Sequence, residues 1–378
     1  MNYNSIFGLS GPVMTLEERG FFLEAKPLGF ILFSRNIDSA DQLKALTSSL
    51  KALFPERLVP IFIDQEGGRV ARIKPPIGRR LYPTAKSFAD LYLVDKERAK
   101  LEVRENYRQL ISELKEFGID SACAPVCDIH HQGADPIIGD RSFGNNAEQV
   151  VDLCKEVIKL TNEKQALPFI KHIPGHGRAS VDSHLDLPIV DTSLEVLEST
   201  DFKVFRDLAD QDVWAMTAHI VYSAIDPVKP ATLSLKVITY IREQIGFKGI
   251  LVTDDLNMYA LHGNIGKQKM LIDKLINLLS KYDSNNTNLE VLKPYNEDFI
   301  KLFNTDVSGK NNQQLLDYCL KKQKEIKPLF CKNLAKVASE AISAGCDILL
   351  HCSGDLEEMQ AIFAVANLVE DGMINLKN

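Results

Sequence analysis

Lys171-His172-Ile173-Pro174-Gly175-His176-Gly177-Arg178-Ala179-Ser180-Val181-Asp182-Ser183-His184-Leu185-Asp186-Leu187-Pro188 is the stretch on which the reading of this chain turns. It follows the apolar run Leu167 to Ile170, which reads as a short buried strand. Pro174, Gly175 and Gly177 then break any regular element and force a loop. Three histidines, two aspartates, a lysine and an arginine fall within it. A strand that empties titratable side chains into a glycine-rich loop is how active sites are commonly built. Asp182 and His184 are its sharpest pair. A carboxylate two residues from an imidazole can accept the ring N–H, fix the tautomer and raise the basicity of the other nitrogen.

Working outward, the same strand-then-loop unit recurs. Strand candidates are Ile6–Ser10, Gly29–Ser34, Pro60–Asp64, Ser121–Asp128, Leu167–His172, Val213–His219, Gly249–Asp254 and Asp347–Cys352. Between them lie stretches of helical period. Thr15 with Glu18 and Ser39 with Gln42 read as capping boxes that start two of them. Glu97–Phe117, Ala147–Asn162, Leu194–Leu208 and Ser234–Ile245 behave similarly. Helices alternating with near-continuous apolar strands mean βαβ units and a parallel sheet. Eight such strands favour a single-domain, closed (β/α)8 barrel of the TIM type over an open sheet.

One region breaks the rhythm. From Gly263 to Lys332, twelve lysines stand against eight acidic residues, with nine asparagines. Met270–Leu279 and Gln313–Phe330 carry helical spacing, and Asp283–Asn288 reads as a turn or linker. The segment 263–332 is expected to be an insertion after the seventh strand, a solvated appendage within one domain spanning 1–378. The regular pattern resumes at Ala335–Ala344, the helix leading into the eighth strand.

The composition narrows the partners. A net charge of −7 argues against nucleic acid or an anionic membrane surface and favours a neutral or small polar substrate. Seven cysteines without a CxxC pair read as free thiols in a reducing compartment. Met1 to Gly11 shows no basic and apolar leader pattern, and no apolar run reaches the roughly 20 residues of a membrane span. The expectation is a cytoplasmic protein.

Polar residues gather at the C-terminal ends of the proposed strands, the face where barrels assemble their active sites. Ser34-Arg35-Asn36 closes strand two, and Asp64-Gln65-Glu66-Gly67-Gly68-Arg69-Val70-Ala71-Arg72 follows strand three. His130, His131 and Ile138-Gly139-Asp140-Arg141-Ser142-Phe143-Gly144 come after strand four. His219 ends strand six, and Thr253-Asp254-Asp255 ends strand seven.

Taken together, Asp64-x-Glu66-x-Gly68-x-Val70-x-Arg72, Gly139-x-Arg141-x-Phe143, Lys171-His172-x-Pro174-Gly175-His176-Gly177, Asp182-x-His184 and Thr253-Asp254-Asp255-Leu256-x-Met258 resemble family 3 glycoside hydrolases. More narrowly, the chain resembles their single-domain cytoplasmic β-N-acetylhexosaminidases of peptidoglycan recycling, over roughly residues 5 to 260 and 335 to 352. Five motifs in register are strong where any one is weak. The resemblance implies Asp254 as catalytic nucleophile and Asp182 with His184 as the acid/base dyad on a mobile loop. It implies Asp64, Arg72, Arg141, Lys171 and His172 as the groups that hold a terminal N-acetylhexosamine. It further implies a GlcNAc-containing muropeptide or glycan as substrate, retention of configuration, and neither cofactor nor metal. The insertion is the departure from the family's compact members.

The chemistry is coherent without the resemblance. An oxocarbenium-like transition state needs a carboxylate below the ring and a proton donor at the leaving oxygen. Asp254 at a strand end can be the first. His184, with an unperturbed pKa of ~6.5 against ~4.3 for Glu, needs less tuning to serve as a neutral-pH acid and base. The plainer readings are an N-cap for Asp254, a solvated loop residue for His184, and loop shaping without chemistry for His176. Lys171 reads equally as a buried ion pair or a sugar ligand, and Glu66 as a brace for neighbouring arginines. His219 faces the mouth without a defined role, and His351 and Cys352 read as packing. Competing functions are a metal-dependent barrel hydrolase using His172, His176, His184, Asp182 and Asp254, a phosphorylase on the same barrel, and a sugar-binding scaffold.

Overall fold

The computed structural model describes residues 2–281, 293–303, 310–366 and 368–369. Strands β1 (Asn2–Phe7), β2 (Pro27–Leu32) and β3 (Ile61–Ile63) are separated by helices α1 (Leu16–Ala25) and α2 (Ala40–Lys51). A hairpin of β4 (Gln65–Gly67) and β5 (Val70–Ala71), then α3 (Ala85–Val94), α4 (Lys96–Glu116) and α5 (Ala147–Glu163), lead to β6 (Phe169–Ile173). Next come β7 (Ile189–Val190), α6 (Leu194–Ser199), α7 (Asp201–Leu208), β8 (Trp214–Thr217), β9 (Val221–Tyr222), α8 (Leu235–Tyr240) and β10 (Leu251–Val252). Helices α9 (Gly263–Leu279), α10 (Lys293–Phe303) and α11 (Asn312–Ala344) precede β11 (Leu349–His351), α12 (Leu356–Phe363) and β12 (Leu368–Val369).

Strands β11, β1, β2 and β3 pair in that order, all parallel, and β6, β8 and β10 form a second parallel set. Single parallel bridges carry the pairing across the gaps: Phe62 with Ser121, Val126 with Lys171, and Val252 with Ile348. The result is a TIM-barrel-like α/β arrangement. The paired parallel strands are largely apolar because both of their faces are covered. Alternate side chains divide between two cores. Ile6, Ile31, Phe62, Phe169, Trp214, Val252 and Leu350 pack into an inner cluster. Phe7, Phe30, Ile63, Ile170, Ala215, Leu251 and Leu349 face outward and pack under the helices.

Both capping boxes form. The Glu18 amide donates to Thr15 Oγ1 (3.0 Å) while the Thr15 amide donates to Glu18 Oε2 (2.8 Å), and Ser39 with Gln42 repeats the exchange. Four expectations change. The segment Ser121–Asp128 contributes bridges rather than a regular strand, because Cys123 sits at φ 49° and Pro125 has no N–H to give the ladder. The helix expected over Leu194–Leu208 is two, broken at Thr200. Helices α3 and α12 were not anticipated.

The largest difference concerns 263–332. Helix α11 runs unbroken from Asn312 to Ala344, so the far boundary of that segment has no structural counterpart; Pro328 lies inside the helix. Leu271, Ile272 and Leu275 of α9, Phe299 of α10 and Leu315, Ile326 and Phe330 of α11 share the outer core with the barrel helices. Their burial, not the lysine-rich composition, decides where the segment sits, and the described part is no solvated appendage. The Asp283–Asn288 linker lies outside the described residues.

Candidate active site

The inward alternation that places Phe62, Phe169 and Val252 in the inner core continues to Asp64, Lys171 and Asp254, two residues further along each segment. Three chemically active side chains therefore reach the same end of the strands. Lys171, only 2% exposed, lies 3.0 Å from Asp64 Oδ1 and 2.7 Å from Glu66 Oε1. Arg72 donates to Asp64 Oδ2 (3.0 Å), and Arg141 forks onto Glu66 at 2.7 and 2.8 Å. Burial would raise both carboxyls, but the cations prevail: Asp64 is held well below the usual carboxylate range, and Glu66 is held near about 2. The five groups form a floor with one cation in excess. Glu66 is the brace expected, and Lys171 is a buried ion pair. Arg72 Nε is buried and has no hydrogen-bond partner among the described residues.

His172 is oriented by a residue the sequence reading gave no role. Asp128 is fully buried and accepts the His172 Nδ1–H at 2.7 Å. Its other oxygen accepts the backbone N–H of His172 (3.1 Å) and of His176 (2.6 Å). A carboxylate only accepts, so the proton sits on Nδ1 and Nε2 of His172 is left as an acceptor. A lone aspartate closing the apolar run Cys123 to Cys127 was the signal available in the sequence.

The loop is pinned at its base. A Cβ on Gly177 would fall 1.8 Å from the carbonyl oxygen of Ile129, so only glycine fits. Arg178 donates to Asp201 Oδ2 (2.6 Å), and His131 bonds the other oxygen of Asp201 (2.9 Å). Beyond Ser180 the chain lies near solvent, and His184 is 59% exposed. Asp182 accepts both the His184 backbone N–H and its ring Nδ1–H, each at 2.8 Å. That bond raises the histidine above its ordinary pKa against the opposing effect of burial, helped by the charge of Asp254. Burial would raise Asp254, but His219, His172 and His184 outweigh it and keep this carboxyl below its ordinary range. His184 and Asp254 thus act on one another electrostatically, each favouring the charged form of the other.

Asp254 is not a helix cap. It takes one hydrogen bond among the described residues, from the Asp255 amide (2.8 Å). Asp255 instead braces the loop against the end of β11, its carboxylate accepting from the Asn257 and Cys352 amides at 3.0 Å. His219, fully buried, donates its Nε2–H to the Asp255 carbonyl (3.0 Å), and burial lowers its pKa. His351 is more than packing: its Nε2 lies 3.2 Å from Glu358, a buried carboxylate that Lys327 also approaches at 3.3 Å. Among the described residues no group of three or more His, Cys, Asp or Glu is arranged to hold a metal ion.

A TIM-barrel-like arrangement of parallel strands with an ion-paired floor, a carboxylate at a strand end and an aspartate–histidine pair on a nearby loop offers the carboxylate and the proton donor that glycoside cleavage needs. The chain belongs to glycoside hydrolase family 3: the model of the glycosyl hydrolase family 3 N terminal domain matches residues 16–273. It is 38% identical over 257 residues to the beta-hexosaminidase of Alkalilimnicola ehrlichii, covering 68% of this chain and 72% of that one. The beta-hexosaminidase of Neisseria meningitidis serogroup B is 38% identical over 266 residues, 67% of this chain and 72% of that protein. Among solved structures, NagZ from Neisseria gonorrhoeae in complex with N-trifluoroacetyl-D-glucosamine superposes with a TM-score of 0.73. It is 27% identical, and the match covers 99% of this chain and 88% of that one.

Proposed function

We propose that this enzyme is a retaining exo-β-N-acetylglucosaminidase, a β-N-acetylhexosaminidase that removes non-reducing terminal GlcNAc from peptidoglycan-derived muropeptides. The observation that carries the mechanism is the Asp182–His184 hydrogen bond facing an ionised Asp254. In the first step an Asp254 carboxylate oxygen attacks the anomeric carbon while the bond to the leaving oxygen breaks. His184 gives its Nε2 proton to that oxygen, its Nδ1–H remaining on Asp182. In the second step neutral His184 takes a proton from water, water oxygen bonds to the anomeric carbon, and Asp254 departs. Configuration is retained because two displacements occur at one face each.

Asp64, Arg72, Arg141, Lys171 and His172 hold the terminal sugar in this reading. Lys171 and the two arginines, already paired to carboxylates, offer donors fixed in direction, and the bare Nε2 of His172 offers an acceptor to a hydroxyl. The relatives called beta-hexosaminidase, and the sugar held by the gonococcal protein, support N-acetylglucosamine as the glycone.

Three further features belong to the same reading. The strands close into an eight-stranded (β/α)8 ring, supported by the three single bridges that join the two parallel sets. The 263–332 segment enters as an insertion after the seventh strand, and its described part packs into the outer layer and merges with α11. The enzyme works in the cytoplasm, a view supported by its seven free cysteines; among the described residues no helix is long and apolar enough to cross a membrane. Trapping with a 2-fluoro or 5-fluoro hexosaminide tests the assignment: the label belongs on the peptide carrying Asp254. Label on any other carboxylate ends it.

A further inference from the structure

Between Ser180 and Leu187, the segment that carries Asp182 and His184, Ser183 alone is buried, 2% exposed while its neighbours face solvent or are half-buried. Its hydroxyl lies 3.0 Å from Nε2 of His176. His176 is itself only 3% exposed, and burial pushes its pKa down to about 4. At neutral pH it is therefore uncharged, with one protonated and one bare ring nitrogen. Its ring stands edge-on to that of His172, 5.3 Å between centroids, and its backbone N–H is held by Asp128 at 2.6 Å.

We propose that His176 and Ser183 are a positioning pair: their hydrogen bond seats the Asp182–His184 dyad over the sugar, and Asp128 ties this seat to the sugar-holding His172. The inference rests on the acid/base reading of the dyad and deepens it. The physical reason is leverage. His184 is attached to the protein core by an exposed segment, and proton transfer fails when donor and acceptor drift by about an ångström. One buried side chain immediately before it fixes the loop at the only point where a bond can be shielded from water. Asp128, by holding both histidines through a single carboxylate, makes the position of the glycone and the position of the proton donor one variable instead of two.

Leaving-group dependence separates positioning from general damage. A 2,4-dinitrophenyl group departs without a proton, whereas the second sugar of diacetylchitobiose needs one. For Ser183→Ala, kcat/KM on diacetylchitobiose is expected to fall about ten- to a hundredfold, within the range that positioned proton transfer supplies. On the dinitrophenyl glycoside kcat/KM is expected to stay within about twofold of the parent, and Ser183→Thr, which keeps the hydroxyl, to recover most of the loss. His176→Gln, which keeps a hydrogen-bonding group, is expected to fall between the two. Equal losses on both substrates, or no loss on either, would overturn the proposal. His184→Ala is the control that distinguishes the two layers. If it lacks leaving-group dependence, the acid/base reading falls and the proposal with it; if it shows the dependence and Ser183→Ala does not, only the positioning role is wrong.

Discussion

The floor under the candidate site and the loop that overhangs it face one another across the same mouth, yet they are built differently. The floor is made of buried, mutually neutralised charges: Lys171 is 2% exposed and Glu66 6%, each bonded to more than one partner. The loop offers His184 at 59% exposure, held by a neighbour two residues away. Where a group must stay still and ionised, burial with ion pairing achieves it. Where a group must give a proton to the leaving oxygen and take one back from water in each turnover, exposure is required and rigidity comes from a few anchors. The consequence is that damage to the floor should cost stability as well as activity, whereas damage to the loop should cost rate alone.

The sharpest break in this comparison is at its shared member. Asp254→Asn should abolish turnover of a chromogenic N-acetylglucosaminide while sugar binding persists; residual kcat near the parent would remove Asp254 from the chemistry. Next in size is the floor. Glu66→Gln leaves Lys171 and Arg141 buried with one carboxylate fewer, and loss of a buried partner costs about 3–5 kcal/mol. The denaturant midpoint should drop accordingly, and an unchanged midpoint would show the floor to be less tightly coupled than its distances imply.

On the loop side, His184→Ala should slow both chemical steps by roughly 10²–10⁴-fold with no shift in the denaturation midpoint. A large fall in that midpoint would erase the distinction drawn between floor and loop. The pH profile of kcat/KM sharpens it further. The free enzyme must have Asp254 ionised and His184 protonated, so the plateau should run from below ~3.9 to above ~6.5, since the carboxyl is lowered and the imidazole raised. Asp182→Asn removes the chief cause of the raised histidine, and the alkaline limb should move down toward ~6.5. An alkaline limb that does not move would mean Asp182 is not what sustains the proton.

The smallest effect is expected where the outer helices touch the loop. Lys267 of α9 bridges Asp186 at 2.8 Å, with 39% of the lysine and 55% of the aspartate side chain open to solvent and salt. Such pairs contribute below about 1 kcal/mol. Lys267→Ala should change kcat/KM by no more than a few-fold, and the difference should vanish in high salt. A larger, salt-resistant loss would assign the α9–α11 layer a direct part in catalysis.

Much of this protein was legible along the chain. The alternation of apolar strands with capped helices pointed to a barrel because strands covered on both faces must be apolar and helices covered on one face must be periodic. Asp64, Lys171, Asp182, His184 and Asp254 stood out because titratable residues gathered at strand ends and in glycine-rich turns lie on the face where barrels assemble their active sites. Other features depended on distance in space. Asp128 looked like the end of a strand until it was seen to hold two histidines more than forty positions away. Ser183 is an ordinary serine in sequence, and only burial against His176 marks it. The 263–332 boundary followed composition, which registers the solvent-facing lysines, while Leu271, Phe299 and Phe330 on the other face settle the packing. Local pattern reports what each residue needs to be satisfied; which residue satisfies it is decided only when the chain closes on itself.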